Sequence, residues 1–398
     1  MYVRTFNTYV FMYVCMYVCK ISSVTFWNNM DTVPYRTHKK NDTKVYAIML
    51  SRSLLGRVPF GRIGAGCILT SMTAAWYYRP LPIKDEKQYA APNRSAEFFC
   101  SDRLYPVRED TPFLLSMARG LSIGITTIAI RLVMNTYGSY ELDTNDEHYV
   151  NFLETVLGSR RNPGQGMLTV SNHRSLFDDP GVVSCILPLW VGIRPKFNRW
   201  GICSQEYCFN DVLPGIIKGY IGAGQVLPIC RGAGINQTLL LDFARLLASG
   251  EWCHIFPEGG AWQRMELGGR PAGNSRKGKL KWGVGKLIAH APICPKVIPF
   301  AHVGMEAVLP QDRKTRKTYF KFIGPNELQI KIKFGPEIHF DDLIQEYELE
   351  HGKLWKYSSQ TNVSRWESSD NEKELYRKIT LRIENELEKV TKTTVETK

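Results

Sequence analysis

The sequence predicts one α/β domain with a mostly parallel sheet flanked by helices, resting monotopically on a membrane face. Three observations lead there. After residue 165, apolar runs of strand length alternate with stretches of helical periodicity, the pattern of a wound sheet with crossover helices. The 398 residues are 44% hydrophobic, enough for one large domain with extensions. Two apolar runs, at 112–134 and 181–193, are too short or too interrupted to span a bilayer, which takes about 20 apolar residues.

Residues 1–110 mix short apolar runs with turn residues and read as an N-terminal extension, disordered or targeting. The domain then runs over 111–392, with a tail at 393–398. PFLLSMARGLSIGITTIAIRLVM (112–134) fits an interfacial helix whose Arg119 and Arg131 snorkel to headgroups, or else a buried helix at the start of the domain. MLTVSN (167–172) reads as a strand and the region after Asp178 as a helix. GVVSCILPLWVGI (181–193) fits a one-leaflet anchor or a core helix. WGICS (200–204), QVLPIC (225–230), WCHIF (252–256) and KVIPF (296–300) read as strands. TLLLDFARLLASG (238–250) is a helix stopped by Gly250 at the C′ position, and KWGVGKLIAHA (281–291) is another. YFKFIG (319–324) and LQIKIKFG (328–335) alternate with period two, as strands do. Residues 370–392 form a charged helix whose apolar positions recur at helical spacing.

The chain carries a formal charge of +13, which suits anionic partners such as phospholipid headgroups. No zinc-finger spacing or aromatic nucleic-acid motif accompanies the charge, so nucleic acid is not an expected partner. Ten cysteines include no CxxC pair, and those in apolar runs, such as Cys185, Cys203 and Cys253, read as free thiols in a reducing compartment. FMYVCMYVCK (11–20) reads as low complexity. From Met1 to Gly66 only two acids, Asp31 and Asp42, stand against nine Lys/Arg, a composition found in mitochondrial leaders and in many solvated tails.

The polar motifs fall at strand ends, where open α/β sheets bind ligands. In SNHRSLFDDP (171–180), His173 precedes Asp178 by five residues. A turn can bring the two together, so that the carboxylate takes Nδ1–H and Nε2 is left as a base. A satisfied loop has the same look. Ser175 lacks the glycine-flanked elbow of a nucleophile, and no second histidine sits at metal-binding spacing. In HIFPEGG (254–260), Glu258 could bond a glycerol hydroxyl or orient an arginine, and Gly259 lets backbone N–H groups approach an anion. In QVLPICRGAG (225–234), Arg231 follows a strand and can hold a phosphate bidentately. KVIPFAHVGM (296–305) is a fourth strand end.

In order and spacing these four segments resemble the glycerolipid acyltransferase superfamily, whose motifs are H-x4-D, an arginine block, F-P-E-G and an apolar block with proline. SNHRSLFDDP, LPICRGAGINQ, KLKWGVGKLIAHAPICP and VIPFAHVGMEAVLP are similar to its cardiolipin-remodelling transacylase branch. The resemblance covers about residues 112–350 and implies an acyltransferase-type domain. Where many relatives carry a hydroxyl residue soon after F-P-E-G, this chain has Gly260, Ala261 and Trp262. The resemblance implies His173 and Asp178 as catalytic, and Arg231, Glu258 and Gly259 as substrate-binding. It implies acyl transfer from a phospholipid such as phosphatidylcholine to monolysocardiolipin, giving cardiolipin. Exchange of one ester for another requires no cofactor or metal. It further implies a mitochondrial membrane facing the intermembrane space. The basic clusters Arg276, Lys277, Lys279, Lys281 and Arg313, Lys314, Arg316, Lys317 would gather anionic headgroups or be solvated loops. Competing readings are an acyl-CoA-dependent lysophosphatidic acid acyltransferase on the same fold and a non-catalytic lipid-binding module.

Overall fold

The computed structural model describes residues 60–80, 111–261, 263, 280–312, 318, 319, 321, 324, 327–358 and 366–396. The chain divides into two units, 1–70 and 71–398. Of the first, only the opening of helix α1 (Phe60–Tyr77) is described. The second begins with the last turns of α1 and continues with α2 (Phe113–Tyr137), β1 (Gly138–Leu142), α3 (Glu147–Leu157), β2 (Met167–Ser171), α4 (Asp178–Ile186) and α5 (Leu189–Gly192). Then come β3 (Gly201–Ser204), α6 (Gln205–Cys208), α7 (Gly215–Ala223), β4 (Val226–Ile229), α8 (Thr238–Ala248) and β5 (Trp252–Ile255). The remainder is α9 (Gly283–Ala289), β6 (Lys296–Val303), β7 (Leu328–Phe334), α10 (Asp341–His351) and α11 (Asp370–Glu396).

The sheet order is β1-β7-β6-β2-β5, parallel except for the β6–β7 pair. A parallel bridge between Trp200 and Cys253 joins β5 to the separate parallel pair β3–β4. β2 lies between β5 and β6 and every one of its residues is buried, Thr169 and Ser171 included. Its side chains alternate between two cores. Leu168 and Val170 join Phe243, Val284, Leu287 and Ile379 on the α8, α9 and α11 side. Met167 joins Phe152, Val182, Ile298 and Phe334 on the α3 and α4 side. The result is three layers, with the loops after β2, β5, β3 and β4 at one carboxyl edge.

Local sequence explains the helix ends. Asp146 caps α3 by accepting from the N–H groups of His148 and Tyr149, and Gly158 ends it at φ 90°. Gly250 follows α8 at φ 81°, the left-handed position expected for it. Gly285 lets α9 reach α11: a Cβ there would lie 2.3 Å from the Tyr376 carbonyl oxygen. Beside it, buried Lys286 donates to Asn236 Oδ1 at 2.8 Å and to Trp366 O, and its ammonium lies 4.1 Å from the Trp366 ring centroid. Burial pulls that amine down to about 7, against the opposing pull of Glu372 and Glu367.

Several expectations are corrected. Arg119 and Arg131 do not snorkel outward. Arg119 is buried, stacks 4.9 Å from the Trp200 ring centroid and donates to Thr111 Oγ1. Arg131 donates to the carbonyls of Ser184 and Leu187 at the end of α4, whose last turn leaves them without helical partners. α2 is long and apolar enough to cross a membrane by length and composition, yet one face packs on α4, α5 and α7. Its other face exposes Phe113, Leu114, Ile125, Ile128 and Leu132. In the 181–193 run, Val182 to Leu187 are core, whereas Leu189, Trp190 and Ile193 are exposed. Cys203 is not a free thiol: α6 turns the chain back so that the Cys203 and Cys208 Cα atoms lie 6.2 Å apart, and the two are bridged. Cys185 and Cys253 are buried free thiols, as expected.

The expected extension contains α1, whose Ala74 and Ala75 are buried with Ala118 and Ala223. Its small residues hid it, because they carry no polar face. α11 runs to Glu396, past the expected boundary at 392. Of the expected strand at 319–324, residues 319, 321 and 324 lie outside any strand. The 11–20 repeat, the 264–279 segment with Arg276, Lys277 and Lys279, and the 313–317 cluster lie outside the described residues.

Gly285→Ala forces α9 from α11, and the expected cost is about 1–3 kcal/mol. A urea titration should show a lowered midpoint with an unchanged slope.

Candidate active site

The SNHRSLFD turn is tied to the strands on both sides of β2. Asn172 is buried and clamps the end of β6: its Nδ2 donates to His302 O at 2.8 Å, and its Oδ1 accepts from His302 N at 2.9 Å. One residue on, the His173 N–H donates to Glu258 Oε1 at 2.8 Å, in the loop after β5. The turn therefore has its backbone fixed from two directions before any side chain is placed.

Asp178 opens α4, and its side chain folds back into the turn. Its Oδ2 accepts from Arg174 N at 2.6 Å and Ser175 N at 2.8 Å, and lies 2.9 Å from His173 Nδ1. A carboxylate accepts only, so Nδ1 carries the proton and Nε2 of a neutral ring has a free lone pair. Asp178 is fully buried while the His173 side chain remains 16% exposed, so the ring reaches the surface and its partner does not. Burial alone would raise the Asp178 carboxyl. His302, His173 and the Ser175 N–H together outweigh it and hold the group below its ordinary value. Ser175 is buried and its hydroxyl accepts from Phe177 N, so it serves the turn.

Two more rings bear on this pair. Phe256 stacks on His173 with centroids 4.2 Å apart and planes 17° apart. His302 on β6 is fully buried, with Nε2 at 3.0 Å from Asn172 O and 3.6 Å from Asp178 Oδ2. Burial lowers its pKa despite the nearby Asp178 and Glu306 carboxylates. His254 lies beneath, 2.9 Å from Thr169 Oγ1, and burial with the Arg199 charge pushes it down to about 3. Next to Asp178, Asp179 pairs with buried Arg199, whose Nε lies 3.0 and 2.9 Å from its two oxygens. Arg199 Nη1 also donates to Gly224 O, tying this turn to the start of β4.

Of the residues singled out in the sequence, the structure thus brings His173, Asp178 and Glu258 together. Gly259 follows at φ 70°, exposed, with its N–H donating to Phe256 O at 3.1 Å. Arg231 stands apart. It follows β4 on the same edge, three strand spacings from β2, roughly 14 Å. It is exposed and its guanidinium lies 5.3 Å from the Tyr207 ring centroid. Phe256, His302, Asn172 and the Asp179–Arg199 pair were not assigned roles from sequence. Phe256 and His302 sit inside quoted motifs, but only pairing across strands reveals what they touch. Among the described residues no three His, Cys, Asp or Glu side chains are grouped to hold a metal.

A family model described as Acyltransferase matches residues 153–303, the stretch from α3 to the end of β6. An N-acylphosphatidylethanolamine synthase of Arabidopsis thaliana is 32% identical over 49% of this chain and 63% of its own length. A tafazzin of Drosophila melanogaster is 31% identical over 56% of this chain and 51% of its own length. A protein named taffazin in Dictyostelium discoideum is 30% identical over 56% of this chain and 71% of its own length. The match thus spans about half to two thirds of the first two relatives.

The buried histidines make stability depend on pH. His290, also buried, is pushed down to about 4, so both it and His254 stay neutral in the fold below the ordinary value near 6.5. The unfolded chain then binds protons that the fold does not, and stability is lost as pH falls from about 6.5 towards 4, by about 1.4 kcal/mol per pH unit for each histidine. Urea midpoints between pH 7 and pH 4.5 should fall accordingly, and His254→Gln should flatten the slope by one proton's worth.

Proposed function

The chain belongs to the tafazzin family of glycerophospholipid acyltransferases, and from that premise we propose that it moves acyl chains between phospholipids without CoA. The acceptor is a lysophospholipid such as monolysocardiolipin, and the donor a phospholipid such as phosphatidylcholine. The observation that carries this reading is the 2.9 Å contact between His173 Nδ1 and buried Asp178 at the carboxyl edge of the sheet.

His173 Nε2 takes the proton of the acceptor hydroxyl as its oxygen attacks the donor's ester carbonyl. Asp178 fixes the tautomer and stabilises the imidazolium. When the tetrahedral intermediate collapses, the departing glycerol oxygen takes that proton back. One ester bond forms and one breaks, which leaves the exchange nearly balanced in energy. Arg231, Glu258 and Gly259 stand at the same edge, and Arg231 supplies an exposed cation for a phosphodiester.

Both substrates are bilayer lipids, so the protein works at a membrane surface. The exposed apolar face of α2 and the Leu189, Trp190 and Ile193 cluster support monotopic attachment. Arg194 lies 5.8 Å from the Trp190 ring centroid, an aromatic–cation pairing suited to the headgroup layer. We place the protein at a mitochondrial membrane facing the intermembrane space. The acid-poor first 66 residues support that placement, and the Cys203–Cys208 bridge fits a compartment that tolerates disulfides. A second reading has the 32% identity to the Arabidopsis synthase behind it: the same base serving an ethanolamine nitrogen as acceptor.

Purified protein on vesicles of monolysocardiolipin, phosphatidylethanolamine and acyl-labelled phosphatidylcholine, without CoA, should yield labelled cardiolipin. His173→Ala should lose about 10²–10⁴-fold, and Asp178→Asn should fall by a similar factor. Label in an N-acylated lipid favours the second reading. Transfer seen only when acyl-CoA is added overturns the CoA-free reading.

A further inference from the structure

We infer that the segment Phe256–Glu258 acts on the base and not on the substrate, with Glu258 as a positioning residue for His173. This rests on the reading of His173 as the base. Motif logic alone would turn Glu258 towards a glycerol hydroxyl. Instead the residue is only 5% exposed and its Oε1 takes the N–H of His173 at 2.8 Å. A carboxylate aimed at the substrate pocket would also repel the phosphates of anionic lipids, whereas one turned onto a backbone amide is stabilised by it.

The rest of the segment serves the same end. Phe256 covers one face of the imidazole at 4.2 Å, with the planes nearly parallel. Pro257 fixes the backbone between the two contacts, and its carbonyl accepts from Lys281 N at 2.7 Å, tying the loop to the chain just before α9. Gly259 closes the turn by donating to Phe256 O. The His173 residue is thus held at its backbone N–H by Glu258, at one ring face by Phe256 and at Nδ1 by Asp178. The Nε2 edge is what remains to meet a hydroxyl. Headgroup selection then falls to other residues at this edge, among them Arg231.

The test uses the full chain in vesicles with Glu258→Gln and Glu258→Ala. Gln keeps an oxygen that accepts the His173 N–H, so its kcat should stay within about tenfold of the parent. Ala should lower kcat by about 100-fold, the scale of a small misplacement of a reacting group, and leave KM for the lysophospholipid within about twofold. A raised KM with kcat kept, or Gln as damaging as Ala, or no effect of either, overturns the inference. If Ala does not fold, Gln decides by the same kcat and KM criteria. An independent readout is the His173 Nδ1–H resonance in histidine-labelled protein, present in the parent and Gln and broadened or lost in Ala. An unchanged resonance in folded Ala overturns the inference. Because that signal needs no turnover, a parent protein with no transfer from any donor would sink the proposed function and leave the positioning question to the resonance.

Discussion

The structure turns on one carboxylate taken out of water. Asp178 sits at the head of α4 with no exposed surface, a placement that costs several kcal/mol unless donors compensate. The donors come from its own turn, the amides of Arg174 and Ser175, and from His173. Together with the nearby His302 ring, these contacts make burial tolerable, and they also orient the imidazole. Stability of the turn and orientation of the imidazole are therefore one interaction, and a change that harms one harms the other.

That turn could not hold its shape alone. Asn172 fastens it to β6 and Glu258 fastens it to the loop after β5, so the two neighbours of the central strand share the task. Parallel pairing is what makes this possible, since it brings the carboxyl ends of β2, β5 and β6 to one edge. Motifs more than 80 residues apart in sequence become adjacent because each follows a strand end.

Much of this was legible. β2, β5 and β6 were legible because strands covered on both faces are mostly apolar, with Thr169, His254 and His302 as buried exceptions. His173 and Asp178 were legible because a five-residue turn at a strand end brings the pair together with no distant residue. What escaped the sequence depends on which strands are neighbours. Phe256 and His302 are ordinary strand-end residues until the sheet order puts one against His173 and the other near Asp178. The arginines of α2 fitted either lipid or a buried helix in sequence, and Trp200 and the open carbonyls of α4 supply their partners within the protein. The Cys203–Cys208 bridge was missed because a five-residue separation has no signature until α6 folds the chain back.

The last helix has a consequence of its own. α11 places Tyr376, Ile379 and Ile383 in the same core as β2, and Trp366 just before it closes over the amine of Lys286. These residues lie more than 60 positions beyond His302. A change that removes them while sparing every residue around His173 would still open that core to water. The segment from Trp366 to Ile383 thus serves folding, and lesions there would act by depleting the protein instead of by disarming it.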